Sequence, residues 1–558
     1  MEWSRFEDVD ISDPYKYSET IVHSPLFQPL WTKWKANLDV PYYGITSDGR
    51  KKEGLYQLQD EGAPTQQMVT KGSASYFFKV RMLRLRKTAA ARKVISNLSA
   101  SEREVALHDL DTENCICATC YSGLQIRELS SIRRKWCNPE FLLFECGLRL
   151  EHLDENKVSS IMELLRRSLS EHGWSKIRGA MKTNKFLGEI CSRQAILNER
   201  SYFFTIFGEP SESRPWAYML FGHHLCLNVF IARQQMVIGP VFLGAEPNVI
   251  DHGPDQGIEL CTEESRLGLQ LMQSLPTHLQ RVAQVYSEMW EPSMPEDRWN
   301  PADQRHLAGA FQDNRVIPYE GVVATDMTAE QQELLMSIIT AFLTLLPPKP
   351  LTFRLDQVRK NLSETFFSWI GGFGSADPFY YRIQSPVALF EFDHHSGVFL
   401  TNDEPAKYHI HTIQRLPNGN DYGQTSWSPG NCFENDMGSE PQDFGNVLSQ
   451  LGIGVPSNFW EMDRTAFTDM PEIDASFVNI GENPTNNSQA LDIGPLNDQT
   501  SVSPHKSPSS RSSGSLTNGK VSSIESLTRR ADNAGALHGS EPPAIYIRKN
   551  ETAGHYVG

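Results

Sequence analysis

The sequence predicts an α+β fold, one large domain of antiparallel strands and segregated helices, followed by a disordered C-terminal tail. Three observations carry that expectation. Apolar residues recur at helical spacing through 98–110, 154–191, 262–290 and 328–368. Aromatic and β-branched runs broken by Gly and Pro fill 201–247 and 379–401, as strands require. From 424 to 558 the chain turns to Ser, Asn, Pro, Asp and Gly, too polar to offset its ordering entropy. Because helices and strands come in blocks, a doubly wound sheet is disfavoured.

Taken in order, residues 1–77 are rich in Tyr, Trp, Pro and Gly and read as an irregular, aromatic-anchored arm or lid. LSASEREVALHDL (98–110) carries Ser and Glu at capping-box spacing. In 154–191 Leu164, Leu165 and Leu169, with Met162 nearby, give one apolar stripe. LLMSIITAFLTLL (334–346) follows a capped start and stops at Pro347 and Pro348, so it reads as a buried helix too short to span a bilayer. FSWIGGFGSADPF (367–379) reads as a tight turn after a helix over 352–368. No internal repeat is apparent.

The bulk properties exclude several function classes. A formal net charge of -16 argues against nucleic-acid binding, which needs a basic surface. The acidic start lacks a signal peptide's basic and apolar regions, and nine cysteines is an odd number; both point to a reduced, cytoplasmic protein without a membrane partner. CICATC (115–120) holds one CxxC pair, Cys117 and Cys120, with no second half at zinc-module spacing. The basic run 78–93 reads as a solvated face. GxSxG, GxxxxGK[ST] and HEXXH are all absent.

Histidines carry the remaining chemistry. In KYHIHTIQRLPNGNDYG (407–423) strand alternation places His409 and His411 on one face, roughly 6–7 Å apart. FGHHLCLNVFI offers His223, or His224 on the alternate face with Cys226 and Asn228. In LFEFDHHSG, Glu391 and Asp393 share one face, and Phe390, Phe392 and His394 share the other. An HxH pair plus one further His or carboxylate is a sufficient ligand set for Zn, Fe or Cu, with Glu391, Asp393 or Asp421 available to orient a ring. The other reading is of structural histidines in an ordinary polar pocket.

PWAYMLFGHHLCLNVFI, GPVFLGAEP, YYRIQSPVALFEFDHH and HIHTIQRLPNGNDYG together resemble the domain of unknown function 3500 family of fungi and bacteria. GITSDG, GLYQLQDEGAPT and FLGEI resemble its N-terminal part. The resemblance covers most of 25–423, leaving 1–24 as an arm and 424–558 as an unrelated tail; 70–86 and 114–133 look like insertions. It implies a single large domain with no established activity. It also implies a pocket of His223, His224, Glu246, Arg382, Glu391, Asp393, His394, His409, His411 and Arg415, with His395 a departure held as peripheral. The expectation is a metal-dependent enzyme, hydrolytic or oxidative, acting on a small organic molecule. His409, His411, His223 or His224, and His394 would be ligands. Glu246, Glu391 and Asp393 would be acid/base or orienting groups, and Arg382 and Arg415 would receive an anionic substrate group. The alternative is a small-molecule-binding protein without catalysis.

Overall fold

The computed structural model describes residues 12–25, 27–56, 89–112, 128–140, 146–211, 214–232, 235–295, 297–300, 302–397, 399–400 and 404–425. These all belong to the first of two compact units, Met1–Phe433. The expected insertion 70–86, the CICATC cluster and the tail beyond 425 lie outside the described residues, as does all of the basic run except 89–93.

Eight long strands form the centre: β1 (Tyr202–Phe207), β2 (Trp216–Gly222), β3 (Leu225–Ala232), β4 (Gln235–Ala245), β5 (Phe366–Gly371), β6 (Phe379–Gln384), β7 (Leu389–His394) and β8 (Ile410–Arg415). Their spatial order is β1-β2-β3-β4-β8-β7-β6-β5, antiparallel throughout. Short strands at both ends bring the sheet to twelve among the described residues. Two of these, Leu107–His108 and Gln284–Tyr286, pair in parallel, so the whole sheet is mixed.

Both faces are buried, which is why the strands read as near-continuous apolar runs. One face, with Phe204, Tyr218, Leu227 and Phe392, packs against helices Glu155–Ser168, Glu171–Ile190, Thr262–Ser274 and Ala329–Leu343. Three of these four helices start on a side-chain cap. Asp154 accepts from the Lys157 N–H, and Thr328 and Gln331 form a capping box. The other face, with Phe203, Phe221, Phe242 and Ile413, is covered by Trp31, Trp34, Trp136, Leu307 and Tyr422. The arm is more regular than expected. Asp13 caps helix Pro14–Val22, and Gln28–Asp39 buries Trp31, Trp34 and Leu38. Likewise the segment read as a turn over 367–379 contains all of β5 but Phe366, and the six residues of β5 pair with β6.

The fold is duplicated, although no repeat is apparent in the sequence. A short strand, a 3-10 turn, two helices and a four-stranded meander run from Leu148 to Ala245, and the same series runs from Val322 to Arg415. Registers agree between the halves except for a bulge at Leu227/Val229 between β3 and β4, which β7 and β8 lack. Leu148 pairs with Phe204 as Val322 does with Phe367, Phe203 with Phe221 as Phe366 with Gln384, and Met219 with Asn228 as Arg382 with Glu391. Each half opens on a left-handed glycine, Gly147 (φ +96) or Gly321 (φ +88). A Cβ there would strike the half's first long strand, 2.3 Å from the Phe204 carbonyl oxygen or 2.1 Å from that of Phe367. The two meanders join edge to edge through β4 and β8, and Val241 and Gln414, equivalent positions, pair with each other at the pseudo-two-fold axis. The junction removes two edges that would otherwise lie open.

A candidate metal centre

His223 and His224 are not strand residues. Gly222 pairs with Leu225, so the two histidines form the whole connection between β2 and β3, with His224 in the left-handed region at φ 59. Asn138 Oδ1 accepts the His224 N–H (3.1 Å), and the His224 carbonyl accepts the Gly244 N–H from β4 (2.9 Å). Of the HxH pair, His411 lies on β8 and His409 immediately precedes it, with their ring centroids 4.8 Å apart. His409 and His411 face the same side and meet the His224 turn across Gly244.

The rings converge closely. His224 Nε2 lies 3.2 Å from His411 Nε2, and His409 Nε2 lies 3.0 Å from it. One ligand atom from each of the three lies within 4.8 Å of the others. An imidazole nitrogen carries either one proton or one lone pair, so His411 Nε2 cannot form two good hydrogen bonds to two such partners. A cation satisfies all three lone pairs at once. Tetrahedral coordination at Zn–N distances of 2.0–2.1 Å separates ligand atoms by roughly 3.3 Å, close to these spacings.

Burial keeps the rings neutral, the form that binds metal. It pushes His409 down to about 3, and it holds His224 and His411, further lowered by neighbouring imidazoles, well below the ordinary value. Glu246, also buried, places Oε1 3.8 Å from His409 Nδ1 and accepts the Leu400 N–H at 3.1 Å. The Glu246–His409 separation is longer than a hydrogen bond.

The remaining expected residues divide. His223 stacks on His224 at 3.8 Å, its Nδ1 2.8 Å from Asn184 Oδ1. His394 faces the opposite side of β7, packed against Phe379 and Phe392, and its Nδ1 accepts the Phe379 N–H. The structure does not bring it to the cluster. Its neighbour His395, held as peripheral, does arrive, stacking on His411 at 4.1 Å. Glu391 accepts the Leu307 and Ala308 N–H groups (both 2.8 Å) and the Tyr380 hydroxyl (2.6 Å). Asp393 is bound by the Arg305 fork at 2.7 and 3.1 Å. Both carboxylates are thus engaged in clamping segment 305–308. Arg415 is held by Asp313, Asp421 and two carbonyls. Arg382 pairs with Glu320 at 2.8 Å.

The clamped segment delivers a residue that sequence reasoning missed, His306, whose ring centroid is 6.3 Å from that of His411. No strand pattern marks it, so only its type could have drawn attention. The duplication adds a test of what the fold needs. His395 bonds to His409 where Ala232 pairs with Gln235 in the other half. The positions equivalent to His224, His409 and His411 are Val387, Gln235 and Val237. At the two strand-side positions the same pairing is built without imidazoles, so strand pairing does not require His409 and His411; Val387 does not share the left-handed conformation of His224.

Burial also gives the protein an acid sensitivity. The His394 imidazole is pushed to about 3 by burial and then by Lys407, against about 6.5 in an unfolded chain. The unfolded state therefore binds the extra proton between those values. The stability due to the neutral ring is complete above pH 6.5 and is lost as pH falls toward 3. Urea unfolding at pH 4–6 should show His394→Phe flattening the pH slope by about one proton, roughly 1.4 kcal/mol per pH unit. An unchanged slope would contradict this.

A family model described as "Protein of unknown function (DUF3500)" matches residues 85–424. No curated protein and no solved structure matches the chain. Among the described residues no helix is long and apolar enough to cross a membrane.

Proposed function

Since the chain belongs to the DUF3500 family, whose description assigns no activity, we propose from the histidine centre alone that it is a metal-dependent enzyme acting on a small organic molecule. His224, His409 and His411 are the ligands, and the observation that carries the reading is their Nε2 convergence at 3.0 and 3.2 Å. Three imidazoles leave a further coordination position, the arrangement of catalytic rather than closed structural sites. Zn, Fe and Cu all accept imidazole, so the ligand set supports hydrolysis and oxidation alike. Glu246 is the acid/base and orienting candidate, since Glu391 and Asp393 are already engaged with backbone N–H groups and Arg305. Both arginines proposed for an anionic group are buried and already engaged, Arg382 with Glu320 and the Pro318 carbonyl and Arg415 with Asp313 and Asp421.

A second reading, a protein that holds its metal or ligand without catalysis, is favoured by the burial of all three ligand side chains. Metal analysis addresses both. The purified protein, as isolated or reconstituted with Zn, Fe or Cu, should hold about one equivalent. The double variant His409→Ala/His411→Ala should fall below about a tenth with its circular dichroism unchanged. Failure of the parent protein to hold any of the three metals would end the proposal. Metal binding without turnover across a panel of esters, amides and oxidisable phenols would favour the second reading.

A further inference from the structure

We infer that His395 is a positioning residue of this centre, a hydrogen-bond acceptor for an O–H or N–H group on whatever small molecule occupies it. The inference rests on the metal reading above and narrows its ligand class to molecules that carry such a donor beside the metal-binding atom.

The tautomer of His395 is fixed by its neighbour. Its Nδ1 lies 2.9 Å from the Ser396 carbonyl oxygen, which can only accept, so Nδ1 carries the proton and Nε2 the lone pair. His394 has the opposite assignment, because its Nδ1 accepts the Phe379 N–H. The His395 lone pair is buried and has no donor among the described residues. Buried acceptors are ordinarily paired, and one left bare beside a ligand cluster is set for an incoming donor.

The ring is also held where such a donor would arrive. It stacks on His411 at 4.1 Å and lies 5.0 Å from the His409 ring. The His395 N–H donates to the His409 carbonyl (2.8 Å), and its own carbonyl accepts the Ala406 N–H (3.1 Å). Ser396 is braced in turn, since Gln304 Oε1 accepts its N–H at 3.2 Å and Arg305 donates to that same oxygen at 2.7 Å. His395 stands outside the group of three whose ligand atoms lie within 4.8 Å of one another, so it is not placed as a fourth ligand. The equivalent position in the first half is Ala232, which shows that this backbone does not need an imidazole there.

The test uses the full chain loaded with Co²⁺, whose visible spectrum reports its ligands. Two probes are compared: azide, which carries no donor, and acetohydroxamic acid, which carries O–H and N–H groups. His395→Phe keeps the stacking on His411 and removes the acceptor; His395→Gln restores an acceptor oxygen. The inference expects one Co²⁺ in every variant and azide affinity within about twofold of the parent. Hydroxamate binding should weaken about tenfold or more in His395→Phe and partly recover in His395→Gln. Equal loss for both probes, unchanged hydroxamate binding, loss of Co²⁺ in His395→Phe, or a parent protein that holds Co²⁺ but admits neither probe would each overturn it. A parent protein that holds no Co²⁺ fails at the metal reading instead, and the two failures are thus distinguishable.

Discussion

Replacing Arg415 with leucine is expected to lower stability by about 3–5 kcal/mol, a large part of the total available to a typical domain. Arg415 is fully buried, donating to Asp421 Oδ2 at 2.7 Å, Asp313 Oδ1 at 2.5 Å and the carbonyls of Ala308 and Gly309. Its removal leaves Asp421 in the interior with, among the described residues, the Leu416 N–H at 2.8 Å as the remaining partner of its side chain, while Asp313 retains Arg134 at 2.8 Å. The cost arises from the stranded carboxylate rather than from a lost attraction. Urea unfolding measures it. Arg415→Lys should recover only part of the loss, because an ammonium cannot reproduce the fork. A leucine variant with the parent's urea midpoint would show that the network is dispensable.

Gly244→Ala is expected to weaken metal binding about 100-fold while costing only about 1–3 kcal/mol of stability. A Cβ at this position would lie 2.9 Å from His224 Cδ2, 3.1 Å from His411 Cδ2 and 3.0 Å from the Ile410 carbonyl oxygen. Two of the three proposed ligands press on this one glycine, so any side chain moves both rings. Coordination tolerates displacements of roughly 0.2 Å, less than the shift this contact demands. Competition with a chromophoric chelator measures the affinity, and circular dichroism checks the fold. Affinity within threefold of the parent would remove Gly244 from the account of the site.

Much of the site was legible because the relevant rule is local. Strand alternation alone put His409 and His411 on one face, and it separated Glu391 and Asp393 from His394. Alternation failed at 223–224 because a two-residue connection of two histidines, one left-handed, lacks the usual Asn or Gly. The roles of Glu391, Asp393 and Arg415 were not legible either. Spacing alone does not say that a buried charge is already paired; the partners at Leu307, Arg305 and Asp313 are remote in sequence, and only Asp421, six residues from Arg415, is close.

By itself, the sequence determined the blocks of helix and strand, the capped helix starts and the same-face HxH pair, all of which follow from periods of a few residues. It did not reveal that Leu148–Ala245 and Val322–Arg415 are two copies of one architecture. With both sheet faces buried, any apolar residue satisfies most positions, and the copies have drifted apart in identity while keeping their strand order and, outside the Leu227/Val229 bulge, their register. Only the tertiary structure decided which histidines meet. The β4–β8 junction sets His411 against Gly244 and so against the His224 turn. The same packing turns His394 away and brings in His395 and His306. Those contacts depend on strand order and on which face a segment covers, and neither is written in the spacing of residues along the chain.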